Sequence, residues 1–305
     1  MMAYVFGPVP SRRLGSSLGV DLIPPKTCTY DCLYCQIGKT TRKTVETAAY
    51  VDARAVIEEL KVRLGQARPD AVTFSGSGEP TLHSGIHDVL AFLREKSDVK
   101  TVILTNGSLL WRARVRQRVL QAHIVMPTLS TVSEETFQII HRPHPEITAS
   151  RVIEGLEALR REYAGDLHLE VMLLRGINDS DREVEALGDA LGRISPDRIQ
   201  LNTVVRPPSD STAFPLDIQR LEEIKNFFGP KAEIIAGIPR GQWPQEHRSH
   251  IDAILDMARR RPMRVSDMAR ALNVPLEEVE GIVKGLTIKG SLSRKEHSGE
   301  DFYVC

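Results

Sequence analysis

The sequence predicts an α/β protein: a complete or partial β/α barrel, followed by a small helical unit with a hairpin. Three observations predict it. Between residues 18 and 237, short β-branched runs alternate with amphipathic helical stretches, strand then helix, five or six times over. Polar and glycine-containing segments fall just after the strands, where such barrels carry their chemistry. Near 238–247 the composition changes to IPRGQWPQEH, which reads as a linker, and beyond it the pattern turns helical.

Strand, helix, strand repeated in this way means parallel strands joined by right-handed crossovers. The strands are expected over 18–23, 71–75, 101–105, 124–129, 167–174, 199–205 and 232–236. Helix 53–66 is read from Val56, Ile57, Leu60 and Leu64, whose spacings of three and four put them on one face. Stretches 87–95, 149–163, 181–193 and 218–228 show the same period. Past the linker, 251–260 reads as one helix. Val265 and then Ser266, as N-cap, open a second through Leu272; Asn273 to Pro275 break it, and 276–288 makes a third. Two short strands follow near 292–294 and 302–304, joined by a polar, glycine-containing tip. Three helices and a hairpin resemble a winged helix-turn-helix, so 1–240 and 248–305 are expected to be separate domains. No internal repeat interrupts the pattern.

Apolar residues make up 41% of the 305-residue chain and charged residues 26%, ordinary for a globular protein with a sizeable core. Basic and acidic residues number 40 each. That balance excludes a surface that is wholly a nucleic-acid or anionic-membrane binder, and leaves room for a local basic patch. The longest apolar runs, such as 171–174, fall far short of the roughly 18 residues of a membrane span. Residues 1–13 lack a basic stretch followed by an apolar one, so no signal peptide and a cytoplasmic location are expected.

Of four cysteines, Cys28, Cys32 and Cys35 crowd into the segment CTYDCLYC, directly after the first strand, and Cys305 ends the chain. A disulfide framework would spread its cysteines to close longer loops. Three close thiols point to a metal or cluster site. Zinc would ordinarily want a fourth Cys or His nearby, and His83 is distant in sequence. A cubane iron–sulfur cluster usually takes four cysteines; three would leave one iron open to a small molecule.

The C-x3-C-x2-C spacing, with Tyr34 just before the last cysteine, resembles the signature of the radical S-adenosylmethionine (SAM) superfamily. Other segments carry the same resemblance. Gly76-Ser77-Gly78-Glu79-Pro80, after the second strand, is similar to the family's glycine-rich GGE motif. Thr105-Asn106-Gly107, after the third, matches the TNG tripeptide of activating-enzyme-like members. After the fourth strand, Ser130 stands where relatives commonly carry an aspartate. EVMLLRGIND over 170–179 and QLNTVVRPP over 200–208 also resemble relatives. The opening GPVPSRRLG over 7–15, with PPKT before the cysteines, resembles one branch of iron–sulfur oxidoreductases. That branch is related at a distance to the wybutosine-synthesis enzyme, activating enzymes and metallocofactor maturases.

The resemblance covers about residues 1 to 240 and implies a partial (β/α)6-type TIM barrel. It implies a [4Fe–4S] cluster on Cys28, Cys32 and Cys35, with SAM chelated at the open iron. Gly78 and Glu79 would hold the methionine end, with Tyr34, Gly76, Ser77, Thr105, Asn106, Ser130 and Asn202 near the cofactor. A reduced cluster then cleaves SAM to a 5′-deoxyadenosyl radical that takes a hydrogen atom from the substrate. An electron donor such as flavodoxin or ferredoxin is implied with it.

Two further side chains are candidates for the substrate. Glu170 would face the barrel interior or balance an arginine, and Arg206 would hold an anionic group or form a salt bridge at the rim. Arg12 and Arg13 would contact phosphate or lie solvated. His141 and His144 read as structural. Cys305 reads as incidental, and one spare thiol holds no auxiliary cluster. That argues against both two-cluster chemistry and the two-cysteine chemistry of RNA-methylating relatives.

The substrate is expected to be a protein, a peptide or a small molecule, without a membrane partner. The alternatives are a tRNA or other nucleic acid, delivered through the winged helix, and an iron–sulfur redox sensor that binds DNA. Arg259, Arg260, Arg261, Arg264 and Arg270 supply positive charge, whereas Glu277, Glu278 and Glu280 at the start of the third C-terminal helix argue against nucleic acid. The arginines gathered near one helix end are expected to form a solvated face.

Overall fold

The first strand, β1 (Val5–Ser11), pairs antiparallel with β2 (Gly15–Val20), Val5 opposite Val20. The computed structural model describes residues 3–11, 13–236 and 250–305; the linker segment 238–247 and Arg12 lie outside the described residues. Sequence reading does not find β1, because Gly7, Pro8 and Pro10 are poor strand formers. An edge strand tolerates them, and the pairing with β2 shifts register between Phe6 and Val9.

A short parallel pair, β3 (Thr27–Cys28) and β4 (Arg42–Lys43), brackets the cysteine loop. The β/α units then follow: α1 (Ala53–Gln66), β5 (Ala71–Phe74), a 3-10 turn over Pro80–Leu82, α2 (Ile86–Lys96), β6 (Lys100–Thr105), α3 (Ala113–Val119), β7 (Ile124–Pro127), α4 (Glu134–His141), α5 (Ala149–Glu162), β8 (Asp166–Met172), α6 (Asp181–Ile194), β9 (Arg198–Asn202), α7 (Ile218–Phe228) and β10 (Ala232–Ile234). Side-chain oxygens of Asp52, Ser133, Thr148, Ser180 and Asp217 cap α1, α4, α5, α6 and α7, satisfying amides the first turns leave open. The short helices α3 and α4 are passed over by sequence reading.

The strands form one sheet in the order β1-β2-β5-β6-β7-β8-β9-β10, parallel from β2 onward. With β1 and β10 as its two ends, it is a mixed α/β fold with a parallel central sheet, a partial barrel. β5 and β7 are buried along their whole length, as strands covered on both faces must be. Because all the parallel strands point the same way, their C-terminal ends open onto one mouth, and the loops that carry the polar motifs meet there. β8 and β9 stop at Met172 and Asn202, short of the expected ends, where the chain turns into those loops.

Residues 250–305 form α8 (His250–Arg260), α9 (Val265–Leu272), α10 (Leu276–Ile288) and the antiparallel pair β11 (Ser293–His297) and β12 (Glu300–Val304). They share an apolar cluster of their own, which includes Ile254, Met263, Met268, Val279 and Val283. The N-cap position of α9 is Arg264, not Ser266, and no side chain caps it; Arg264 instead reaches forward to Asp267 at 3.1 Å. Val9 of β1 packs against this second cluster. Arg260 of α8 lies 3.7 Å over the Phe6 ring and 3.6 Å from Asp21. These contacts hold α8 beside the mouth of the barrel. The arginines are therefore not one solvated face: Arg260 turns inward, and Arg264 is paired with Asp267 and with Glu300 at 2.7 Å.

Among the described residues no helix is long and apolar enough to cross a membrane.

Candidate active site

A cavity of about 280 Å³ opens at the C-terminal ends of the strands. Its walls bring together Cys28, Cys32, Tyr34 and Cys35 from the first loop, Gly76, Gly78 and Glu79 after β5, Thr105 and Asn106 at β6, Glu170 from β8, and Asn202 and Arg206 from β9 and beyond. Ser77 and Ser130 are not among the lining residues. The Ser77 hydroxyl donates to Asp21 at 2.6 Å. Ser130 is buried, its hydroxyl accepting from the Met172 amide and its carbonyl accepting from Asn178.

The cysteine loop is strapped from several sides. The amides of Asp31 and Leu33 donate to the carbonyls of His141 and Ile140, the last turn of α4, at 2.9 Å each. Ser209 donates to the carbonyls of Cys32 and Leu33 at 2.8 and 3.0 Å. Arg142, left-handed at the end of α4, pairs with Asp210 at 2.6 Å, and the Asp210 amide in turn donates to the Leu33 carbonyl. Sequence reasoning missed these straps. The bonds onto the cysteine loop join segments more than 100 residues apart, and no local spacing announces them.

Gly78 shows why the GSGEP segment needs its second glycine. A Cβ there would lie 1.8 Å from the Thr27 carbonyl oxygen, one residue before Cys28. The glycine lets two backbones touch, the loop after β5 and the entry to the cysteine loop. Gly76 has φ +140, and a Cβ on it would strike the Asp21 carboxylate at 2.4 Å.

Glu79 lines the cavity and is also held by the protein. Its carboxylate is 2% exposed and already accepts four hydrogen bonds: from the Thr81 amide and hydroxyl at 3.0 and 2.6 Å, the Thr105 hydroxyl at 2.6 Å and the Asn106 amide at 2.8 Å. Burial pushes its pKa up, and those four donors pull against it. The carboxylate thus locks the loop after β5 to the loop after β6: Oε1 accepts three of the bonds and Oε2 one. Asn106 reaches the other way: its side-chain amide donates to the Thr29 hydroxyl at 2.7 Å and to the Cys28 sulfur at 3.6 Å.

His141, read from sequence as structural, touches the site. Its Nδ1 lies 3.4 Å from the Cys32 sulfur and 3.5 Å from the Tyr34 hydroxyl. Burial lowers its pKa to about 3, so the ring is neutral. Its place at the last turn of α4 becomes visible only once α4 is known.

The thiols are partly open to the cavity. Burial, and then the Glu79 charge, pushes the Cys28 thiol up to about 12. Cys32 is raised well above its usual range by burial and by its two neighbouring cysteines. Three thiolates side by side are therefore unfavourable unless a cationic centre balances them, which iron does. Among the described residues no three Cys, His, Asp or Glu side chains converge as a single bound ion would need, whereas a cubane takes one thiolate per iron. The donor set fits a cluster.

Across the cavity, Glu170 both lines the wall and balances an arginine. Arg13 lies 3.5 Å from it, and Asn202 donates to it at 2.7 Å. Among the described residues Arg206 forms no rim salt bridge. It is 8% exposed, and its Nη1 reaches the Gln36 side-chain oxygen at 3.4 Å.

A parallel β/α sheet with three cysteines under glycine-rich and TNG loops at its mouth defines an enzyme built to hold a reactive cluster next to a bound small molecule. The chain belongs to the radical SAM superfamily, whose family model matches residues 22–187. Membership implies an iron–sulfur cluster and SAM.

Among curated relatives it is 32% identical over 311 residues to the UPF0026 protein MJ1312 of Methanocaldococcus jannaschii, covering 99% of this chain and 96% of that one. It is 39% identical over 236 residues to a protein of Brachyspira hyodysenteriae named GTPase Obg, where the match covers 77% of this chain but only 35% of the other. Among solved structures, a radical SAM methyltransferase from Sphaerobacter thermophilus aligns at TM-score 0.57 and 16% identity over 72% of this chain and 65% of that one. Streptococcus suis SuiB bound to its precursor peptide SuiA aligns at 0.56 and 15% identity, over 74% and 51%. TYW1 with a lysine–pyruvate adduct aligns at 0.53 and 15%, over 73% and 75%. At these identities the structural likenesses establish the fold.

Proposed function

We propose that this protein is a radical SAM enzyme in which Cys28, Cys32 and Cys35 hold a [4Fe–4S] cluster with one iron open to SAM. The observation that carries the reading is the meeting of all three thiols with the GSGEP and TNG loops around one cavity. A bound, reduced cluster held by Cys28, Cys32 and Cys35 would supply the electron for reductive cleavage of SAM, the source of a 5′-deoxyadenosyl radical for hydrogen abstraction.

The chain's residues bind, orient and enclose. Gly76 and Gly78 leave backbone room beside the cysteines, and Tyr34, Thr105, Asn106 and Asn202 form the adjoining wall for SAM. Glu79 holds the two loops in register. Asn106 and His141 direct polar groups at the sulfurs of Cys28 and Cys32, which tunes a cluster's potential. The barrel mouth encloses the cofactor site on the side of the strands. A flavodoxin- or ferredoxin-type donor supplies the electron.

We read residues 250–305 as a winged-helix-like domain that helps to form the substrate site, and the substrate as a protein, a peptide or a small molecule. Two observations weigh against a nucleic-acid role. Arg260 and Arg264 are engaged with Asp21 and Asp267, and Glu278 on α10 is paired with His250 at 2.7 Å.

The test is anaerobic. Protein reconstituted with iron and sulfide, reduced with dithionite and given SAM is expected to form 5′-deoxyadenosine, and Cys28→Ala, Cys32→Ala and Cys35→Ala are expected to form none. A full cluster that leaves SAM intact, with or without cell extract, defeats the reading and favours a redox sensor.

A further inference from the structure

Two arginines of the barrel are buried to the same depth and treated in opposite ways. Arg116 and Arg206 are each 8% exposed. Arg116 is saturated: it binds both oxygens of Glu162 at 3.0 and 2.7 Å and the carbonyls of Leu110 and Trp111 at 2.8 and 3.1 Å. Arg206 has one amide oxygen, that of Gln36, at 3.4 Å, and its buried Nε has no hydrogen-bond partner among the described residues. A buried cation without an anion is strongly unfavourable.

The surroundings deepen the mismatch. Burial, and then the charges of Arg261, Arg264 and Arg13, pull the Arg206 pKa down to about 9, with Asp267 pulling the other way. Asp267 is itself engaged by Arg264, at 3.1 and 3.3 Å. Arg206 lines the cysteine cavity and also a second cavity of about 200 Å³, which reaches toward Met257, Arg260 and Arg261 of the C-terminal elements. Gln36, which touches Arg206, is the residue next to Cys35.

We propose that Arg206 is the anion subsite of the substrate cavity: the substrate carries a carboxylate or a phosphate that docks on this guanidinium, with Arg13 and Arg261 on the cavity wall beside it. The second cavity is small, about 200 Å³, so the bound part is compact. The planar fork of arginine suits both anions. The inference rests on the reading of the neighbouring cysteines as the radical centre. It adds that the substrate is anionic and that the C-terminal elements help to bind it.

The test follows binding on the full chain at low salt, with inorganic phosphate and malonate as probes, in wild type, Arg206→Gln and Arg206→Met. At least one probe is expected to bind the metal-free wild type, with affinity reduced about tenfold or more in Arg206→Gln. Which probe binds better separates phosphate from carboxylate. Without any anion, Arg206→Met is expected to melt higher than wild type, because an unpaired buried charge is gone. Binding of neither probe, equal binding in Arg206→Gln, or a lower melting temperature for Arg206→Met overturns the proposal.

A second arm separates substrate from cofactor. In cluster-loaded protein saturated with SAM, the preferred probe is expected to keep its affinity within about threefold. A weakening of about tenfold or more assigns Arg206 to the SAM carboxylate and overturns the proposal. If no cluster can be loaded, the radical reading fails, while the titration of the metal-free protein still decides for or against the anion subsite.

Discussion

On the β5–β6 side of the cavity the polar groups hold one another. Glu79 ties Thr81, Thr105 and Asn106 together, and Asn106 reaches on to Thr29 and the Cys28 sulfur. On the β9 side, Arg206 is buried with one long hydrogen bond and like charges around it. Both sides face the same space. A network that is satisfied before any ligand arrives gives a rigid seat, which suits a cofactor that must be held in one geometry. A group left unsatisfied stores free energy that a ligand releases on binding, which suits the part of the cavity that selects a substrate.

The comparison can be broken first at the cysteines. Cys28→Ala, Cys32→Ala and Cys35→Ala should each abolish stable cluster loading, read by iron content and visible absorbance; a variant that keeps the full cluster would move that thiol out of the ligand set. Next in size is Glu79→Ala, which leaves four donors facing a void. It should destabilise the full chain by about 3 kcal/mol in urea denaturation, and a change near zero would mean the two loops do not need the lock. Ser130→Ala removes one acceptor, for the Met172 amide, and should cost about 1 kcal/mol with SAM affinity unchanged. Weaker SAM binding would return Ser130 to the cofactor wall. The subtlest change is His141→Phe, which keeps an aromatic ring but removes its nitrogens. It should leave iron content intact and move the cluster to a lower reduction potential, because a polar contact to the Cys32 sulfur is lost. An unmoved potential would make His141 a packing residue.

Local signals carried the seven parallel strands and the long helices, since each is encoded by its own apolar period. The cysteine loop, GSGEP and TNG were legible for the same reason: each is a contiguous segment placed after a strand. What local reading missed was made by contact across the chain. β1 is concealed by prolines that only an edge tolerates. The straps from Ser209, Asp210 and the end of α4 onto the cysteine loop depend on the barrel bringing them together. Glu79 was found by its motif; the hydroxyl and amide partners that hold its carboxylate sit on two different loops and could be seen only in the folded chain. Arg206 was legible as a polar residue at a strand end, but its missing carboxylate could be seen only in the folded chain. Ser266 had the chemistry of a cap, and Arg264 takes the position instead.

The most direct measurement is electron paramagnetic resonance of the reconstituted, dithionite-reduced protein, recorded with and without SAM. The account predicts about four irons per chain and a reduced cubane signal that changes shape when SAM is added, because one iron has no cysteine and takes ligands from SAM. An identical spectrum in both samples would mean that no iron is open to the molecule, and would contradict the three-thiolate site on which the rest depends.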